Sequence, residues 1–365
     1  MQSQLTRAWV EIDLGALLQN GARVAAHTGS RLLPMVKADA YGLGAVRVAC
    51  ALQELDPWGF GVATVLEGDE LRRAGIERPI IVFTPLLADD FDAARRARLT
   101  PALGDAESIR AWQRCRLPWH LAVDTGMNRA GVSWRNVSAL HDLIAAAPPQ
   151  GVFTHFHSAE RNDASRREQE ERFAAVLAAL PVRPEMVHAE NSPGAAHRRG
   201  SAARWTVARP GVILYGVGFG AGAEIVPEPV VSVRARVVEL RTIEPGDTVS
   251  YGATFRAERP TRIATLAIGY ADGYRRALSN IGTVLIRGRA ARVAGNVTMD
   301  MTMCDVTDIE CDVGDVATLI GRDGDELLTV ERVAEAGGIS PYELLTSLRS
   351  RLPRRYFQGD ESGER

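Results

Sequence analysis

Through residue 215 the chain alternates short apolar, β-branched runs with amphipathic stretches. The runs fall at 32–37, 58–64, 79–85, 100–103, 119–124, 151–156, 186–190 and 205–209, which predicts eight strands. Between them, 43–55, 65–74, 105–116, 135–147 and 164–180 carry helical periodicity. Parallel neighbours need a crossover between them, so repeated βα units predict a (β/α)8 barrel. A doubly wound open sheet is the alternative, because counting elements does not establish closure.

Beyond residue 215 the texture changes. Gly216-Val217-Gly218-Phe219-Gly220-Ala221-Gly222 reads as a joint, followed by β-branched alternation over 230–240, 261–268, 283–293 and 316–320. Turn-forming clusters at 244–247 and 322–325 separate these runs, and helices are expected at 330–336 and 342–351. The fold class expected is therefore α/β: an N-terminal barrel domain over 1–225 and a C-terminal β-rich domain over 226–365. The opening run Trp9-Val10-Glu11-Ile12-Asp13 could be a strand of either domain, and the tail 359–365 is expected to fray.

A net charge of −2 provides no field for nucleic acid or an anionic membrane. No apolar run approaches a bilayer span, and no apolar segment with a basic flank opens the chain, so a cytoplasmic enzyme is the expectation. Cys50, Cys115, Cys304 and Cys311 show no Cys-x-x-Cys spacing and are expected to be reduced core thiols rather than metal ligands. The mixed charges over 161–172 read as a solvated helix face, and the basic run over 351–354 as a chain end.

Of 43 basic side chains only Lys37 is a lysine. Arginine can clamp an anion but stays charged, so it cannot serve as an amine nucleophile or proton carrier near neutral pH. Lys37 closes an apolar run and precedes the glycine-bearing stretch Ala38-Asp39-Ala40-Tyr41-Gly42-Leu43-Gly44, the place where a desolvated, activated amine is expected. Other uncommon residues also fall at strand ends, where barrels carry their chemistry: Asp124-Thr125-Gly126-Met127-Asn128-Arg129, Thr154-His155-Phe156-His157, Asn191-Ser192 and Arg209-Pro210-Gly211-Val212.

These segments, in order, resemble the alanine racemases. The likeness spans nearly the whole chain, through Val10-Glu11-Ile12-Asp13-Leu14, Val36-Lys37-Ala38-Asp39-Ala40-Tyr41-Gly42-Leu43-Gly44, the Asp124 and Arg209 segments, Val249-Ser250-Tyr251-Gly252-Ala253-Thr254-Phe255 and Ile268-Gly269-Tyr270-Ala271-Asp272-Gly273. The resemblance implies a homodimer with shared active sites, acting on a small amino acid with pyridoxal 5'-phosphate. It makes Lys37 the cofactor's Schiff-base partner and the base on one substrate face, and Tyr251, from the partner subunit, the base on the other. Inverting one carbon needs a proton carrier on each face, and a tyrosine needs adjacent positive charge to act as a base.

The same resemblance places Arg209 opposite the pyridine nitrogen, His155 beside the cofactor, and Tyr41, Asn191, Ser192, Gly211 and Val212 among its binding residues, several of them at the phosphate. Arg129 and the backbone of Met299 would hold the substrate carboxylate. Two positions depart from the family. Ala122 stands where a carbamylated lysine commonly supports the carboxylate-binding arginine, and Thr298 where a cysteine is often seen. A substitute near Arg129 is expected, such as an anion, water, or an oxygen of Asn128 or Thr298.

Other readings use the same residues differently. His155-x-His157 with His188 and Asp124 could hold a metal for hydrolysis. A barrel could bind the cofactor without turnover, but that leaves Tyr251 without a role. A barrel decarboxylase would offer the pyridine nitrogen an acid, where this chain has Arg209. A racemase accepting serine or other small amino acids remains compatible with the sequence.

Overall fold

Arg31–Leu32, Phe60–Val62, Ile80–Val82, Thr100–Leu103, His120–Asp124, Gly151–Phe153, Met186–His188 and Val207–Ala208 are parallel strands, one at each predicted run. They belong to a computed structural model that describes residues 6–161, 163–198 and 204–358. Ladders join the second to the seventh strand in sequence order, and the eighth pairs with the first. Met35 bridges Gly61, while Thr206 N–H donates to the Val187 carbonyl and Arg209 N–H to that of Glu190, both at 2.9 Å. Every neighbour is thus hydrogen-bonded and the sheet closes into a (β/α)8 barrel, not an open sheet. Leu33, Trp58, Ile81, Met186 and Val207 form one interior cluster, and Ala102, Ala122 and Phe153 another.

The first strand stops short of the predicted 37. Pro34 has no N–H to give a ladder, and after Lys37 the backbone turns left-handed, with φ of 52°, 54°, 51° and 58° at Ala38, Asp39, Ala40 and Tyr41. Left-handed helix costs L-residues about 1–2 kcal/mol each, so the turn needs outside support of roughly 4–8 kcal/mol. The surroundings provide it. Ala38 N–H donates to Glu67 Oε1 at 2.8 Å and Ala45 N–H to Asp39 Oδ1 at 2.7 Å. Arg354 donates from Nε and Nη2 to the Gly42 carbonyl at 3.1 and 2.8 Å, and Tyr356 Oη to that of Leu43 at 2.9 Å.

Arg354–Phe357 is a strand of the second, largely antiparallel sheet, in which Ala8–Asp13 pairs parallel with it and antiparallel with Val231–Ile243. The opening strand therefore belongs to this sheet. The strand order is Glu326–Leu328, Val316–Asp323, Thr283–Ile286, Arg289–Val293, Thr302–Asp305, Thr261–Leu266, Val231–Ile243, Ala8–Asp13 and Arg354–Phe357. The run expected as one strand over 283–293 is a hairpin, because Arg287 and Gly288 adopt φ of 49° and 72°.

Two further expectations are corrected. Helix Ala164–Ala179 is not simply solvated: Arg166, Gln169, Glu170, Phe173 and Val176 are buried along one stripe. Arg166 pairs with Glu170 at 3.2 Å, while Arg198 reaches Glu190 at 3.3 Å. Cys304 and Cys311 are buried free thiols, but Cys115 is half-buried and Cys50 exposed on the polar side of helix Ala45–Leu52. Asn162 and the tail 359–365 lie outside the described residues. Among those described, no helix is long and apolar enough to cross a membrane.

The turn's dependence on glycine is testable. A Cβ on Gly42, whose φ is +86°, would lie 2.7 Å from the Leu345 carbonyl oxygen, whereas Gly220, at φ +69°, has open space around its Cβ position. Urea denaturation is expected to show a loss of about 1 kcal/mol for Gly220→Ala and about 3 kcal/mol or more for Gly42→Ala. Equal losses would mean that the Leu345 contact does not hold the turn.

Candidate active site

The C-terminal ends of the strands open into a cavity of about 780 Å³. Lys37, Tyr41, Arg129, His155, Asn191, Ser192, Arg209 and Gly211 all line it, so eight of the expected site residues converge. Val212 is buried directly behind, at the start of the short helical turn Val212–Tyr215. Tyr251 and Met299 lie elsewhere. Tyr251 is 76% exposed on the tip between Thr248–Val249 and Phe255–Arg256, beside a second hollow with Tyr270, Arg276, Asn296, Val297 and Thr298. Its carbonyl accepts from Asn296 Nδ2 at 2.7 Å, which holds the tip. Met299 is likewise exposed.

Burial and the Arg129 charge hold the Lys37 amine below the ordinary lysine range, with Glu67 opposing and Arg209 reinforcing the shift. Burial, then Arg209, Arg129 and Lys37, pull His155 down to about 3, so it stands neutral in a cationic mouth. Tyr41 shifts the other way: burial and Tyr342 raise its hydroxyl, which therefore remains a protonated donor.

Arg209 is 3% exposed and is surrounded by neutral acceptors. Its Nη2 donates to the Thr154 carbonyl at 2.9 Å and the Ala189 carbonyl at 3.1 Å, and lies 3.4 Å from His155 Nδ1. Its Nη1 lies 2.8 Å from His188 Nδ1. Since a guanidinium only donates, His188 accepts there and donates from Nε2 to His120 Nδ1, 2.9 Å away. Both rings are buried and neutral, His120 with its pKa pulled down to about 3 by burial. Phe83 and Phe153 lie 5.8 and 5.4 Å from the guanidinium carbon. Burial lowers Arg209 to about 9, which leaves it charged at neutral pH.

The opposite wall suits a phosphate. Ser192 Oγ accepts from Gly211 N–H at 2.7 Å, joining two loops, and Asn191 caps helix Ser192–Ala196 through Gly194 N–H at 3.0 Å. A Cβ on Gly211 would fall 2.5 Å from Tyr41 Oη, so glycine is what lets the hydroxyl approach this loop. An amine, a buried arginine and this polar wall in one cavity fit pyridoxal phosphate.

The metal-hydrolase alternative finds no matching geometry: His157 bonds to Ser158, His188 is committed to Arg209 and His120, and no three potential ligands cluster among the described residues. Among the described residues, neither side-chain oxygen expected to substitute at Arg129 bonds to it. Ala122 packs with Ala102 and Phe153, Asn128 Nδ2 donates to the Gly126 carbonyl, and Thr298 Oγ1 bonds to Met301. Sequence reasoning missed Tyr342, Glu343 and Thr346, which reach the cavity from helix Pro341–Thr346. Their positions follow only from docking of the second sheet, which leaves no local signal.

Comparison with known proteins agrees with this geometry. The alanine racemase N-terminal domain family matches residues 12–218 and the C-terminal domain family residues 230–356. The chain belongs to the alanine racemase family. It is 40% identical to an alanine racemase of Deinococcus radiodurans, covering 96% of this chain and 99% of that one, and 39% identical to that of Synechocystis, covering 95% and 98%. An alanine racemase structure from Bartonella henselae, with covalently bound pyridoxal phosphate, superposes with a TM-score of 0.88 at 32% identity, covering 96% of this chain and all of that one.

Lys37 gives this family member a direct chemical test. Amines react unprotonated, so a lowered pKa moves the rise in reactivity to lower pH. Trinitrophenylation of Lys37 in cofactor-free protein, followed by peptide mapping, is expected to reach half its plateau rate below the ordinary lysine value of ~10.4. A midpoint at or above that value would contradict the buried-amine reading.

Proposed function

We propose that the protein is a pyridoxal-phosphate-dependent racemase that interconverts L- and D-alanine, works as a homodimer and supplies D-alanine. The observation that carries this reading is the meeting of the chain's single lysine with buried Arg209 in one cavity, within a chain of alanine racemase architecture. In this reading the barrel domain over 1–225 holds the cofactor and the domain over 226–365 contributes Tyr251 across the dimer.

Bound in the cavity, pyridoxal phosphate would supply an electron sink for the charge left when the substrate Cα–H bond breaks. Lys37 Nζ carries the proton on one face. Its lowered pKa keeps more of the amine unprotonated and ready to accept. Tyr251 Oη from the partner carries the proton on the other face, since the Tyr251 of the same chain lines a different hollow. The exposed Tyr251, Tyr270, Met299 and Met301 give that region apolar surface for a partner to cover.

Arg129 receives the substrate carboxylate, aided by the Met299 backbone from the partner. Tyr41, Ser192, Gly211 and Val212 would hold the phosphate end, with Asn191 and His155 among the other residues that would bind the cofactor. Arg209 would meet the ring nitrogen as a charged donor, offering a hydrogen bond without surrendering its proton. That would moderate the electron sink and favour return of the proton to Cα. A decarboxylase would be better served by an acid at that position.

Lys37→Ala is expected to abolish racemisation and the bound cofactor's visible absorption, because no second lysine exists to replace it. Tyr251→Phe is expected to retain the cofactor but to lose about 10²–10⁴ in rate, with unequal solvent-deuterium washout from the two enantiomers. Mixing the two inactive variants in equal amounts, with subunit exchange, should restore about a quarter of the activity, since half the dimers carry one intact site. Equal small losses in both directions, with no recovery on mixing, would remove Tyr251 from the chemistry.

A further inference from the structure

We propose that Gln169, on the outer helix Ala164–Ala179, is a positioning residue that sets Arg129 for carboxylate recognition and couples it to His155. This rests on the reading of Arg129 as the carboxylate site. The Gln169 side chain is 1% exposed, and its amide joins two strand ends. Nε2 donates to Thr125 Oγ1 and to the His155 carbonyl, each at 3.1 Å, and Oε1 accepts from His157 N–H at 3.1 Å. Thr125 Oγ1 also lies 2.7 Å from Thr154 Oγ1, which ties the fifth strand to the sixth.

The loop ahead of Arg129 is fixed from behind. Arg172 Nη1 donates to the Thr125 carbonyl at 2.8 Å, and Asp124 Oδ1 accepts from Gly126 and Asn128 N–H at 2.9 and 3.1 Å. A Cβ on Gly126 would lie 3.5 Å from Gln169 Cγ, so the loop runs against this side chain. Arg129 follows directly. It is exposed, lines the cavity, and makes no hydrogen bond or ion pair among the described residues. With no ion pair among the described residues to aim its guanidinium, its placement depends on where the loop begins, and that is where the Gln169 amide acts. Only an amide meets all three contacts: a carboxylate keeps the bond from His157 N–H but loses both donors.

The test uses holoenzyme and propionate, a small carboxylate, as the probe. In Gln169→Leu and Gln169→Glu, KM for alanine and Ki for propionate are expected to rise together, roughly ten- to a hundredfold, while kcat changes less. A double-mutant cycle separates positioning from general damage. Arg129→Ala alone should raise Ki, and adding Gln169→Leu should raise it no further. Unchanged KM and Ki, a loss confined to kcat, or multiplying losses in the double variant would overturn the inference. So would failure of both Gln169 variants to fold, which would make the residue structural. Unchanged Ki in Arg129→Ala would instead remove the carboxylate role from Arg129 itself, a result visible whatever the Gln169 variants do.

Discussion

The left-handed turn after Lys37 is the constraint on which the site depends. Four consecutive L-residues in that conformation are unfavourable on their own, so residues 38–41 hold their shape only because several distant parts of the chain meet there. Glu67 comes from the second βα unit, Arg354 and Tyr356 from the last strand of the other sheet. The turn places Lys37 at the cavity and, one left-handed turn later, sets the Tyr41 ring 5.0 Å from Tyr215 and its hydroxyl beside Gly211. An ordinary right-handed helix would send these two side chains in other directions. The second sheet therefore helps to build the barrel's chemistry in its own chain.

Burial then determines the charge state of each group. Arg209 keeps its charge in the barrel although its hydrogen-bond partners are carbonyls and neutral imidazole nitrogens. That charge suppresses protonation of His155 and His188, and contributes to the lowered pKa of Lys37. One buried guanidinium thus biases several nearby groups toward their unprotonated forms, while the neutral His188 and His120 rings behind it fix its orientation without an acid.

The sequence exposed most of this because two signals were strong. The alternation of short apolar runs with helical stretches marked all eight barrel strands. The isolation of Lys37 among arginines marked the amine. Short edge elements were harder: Thr248–Val249, Phe255–Arg256, Glu326–Leu328 and Arg354–Phe357 are too brief for alternation to register, and their pairing partners are distant in the chain. The left-handed turn was illegible for a different reason. Ala38-Asp39-Ala40-Tyr41 has ordinary local preferences, and tertiary contacts override them. Helix Ala164–Ala179 misled by composition, because its charged residues include Arg166 and Glu170, which are buried as a pair.

The cavity's charge balance explains why its ligands should be anionic at two ends. Lys37, Arg129 and Arg209 face it, while the acids along its wall are largely committed elsewhere: Asp105 caps helix Ala106–Gln113, Asp124 accepts backbone N–H groups, and Glu343 pairs with Arg275. A phosphate at the Tyr41–Ser192 wall and a carboxylate at Arg129 would bring the missing negative charge at separate points, fixing both ends of the reacting assembly. On the proposed reading the position between them would be left for proton transfer, with Lys37 on one side. The other side would be completed by the partner's Tyr251, which would link assembly to catalysis: a lone subunit gathers the residues that line the cavity, while its own Tyr251 lies at a different hollow.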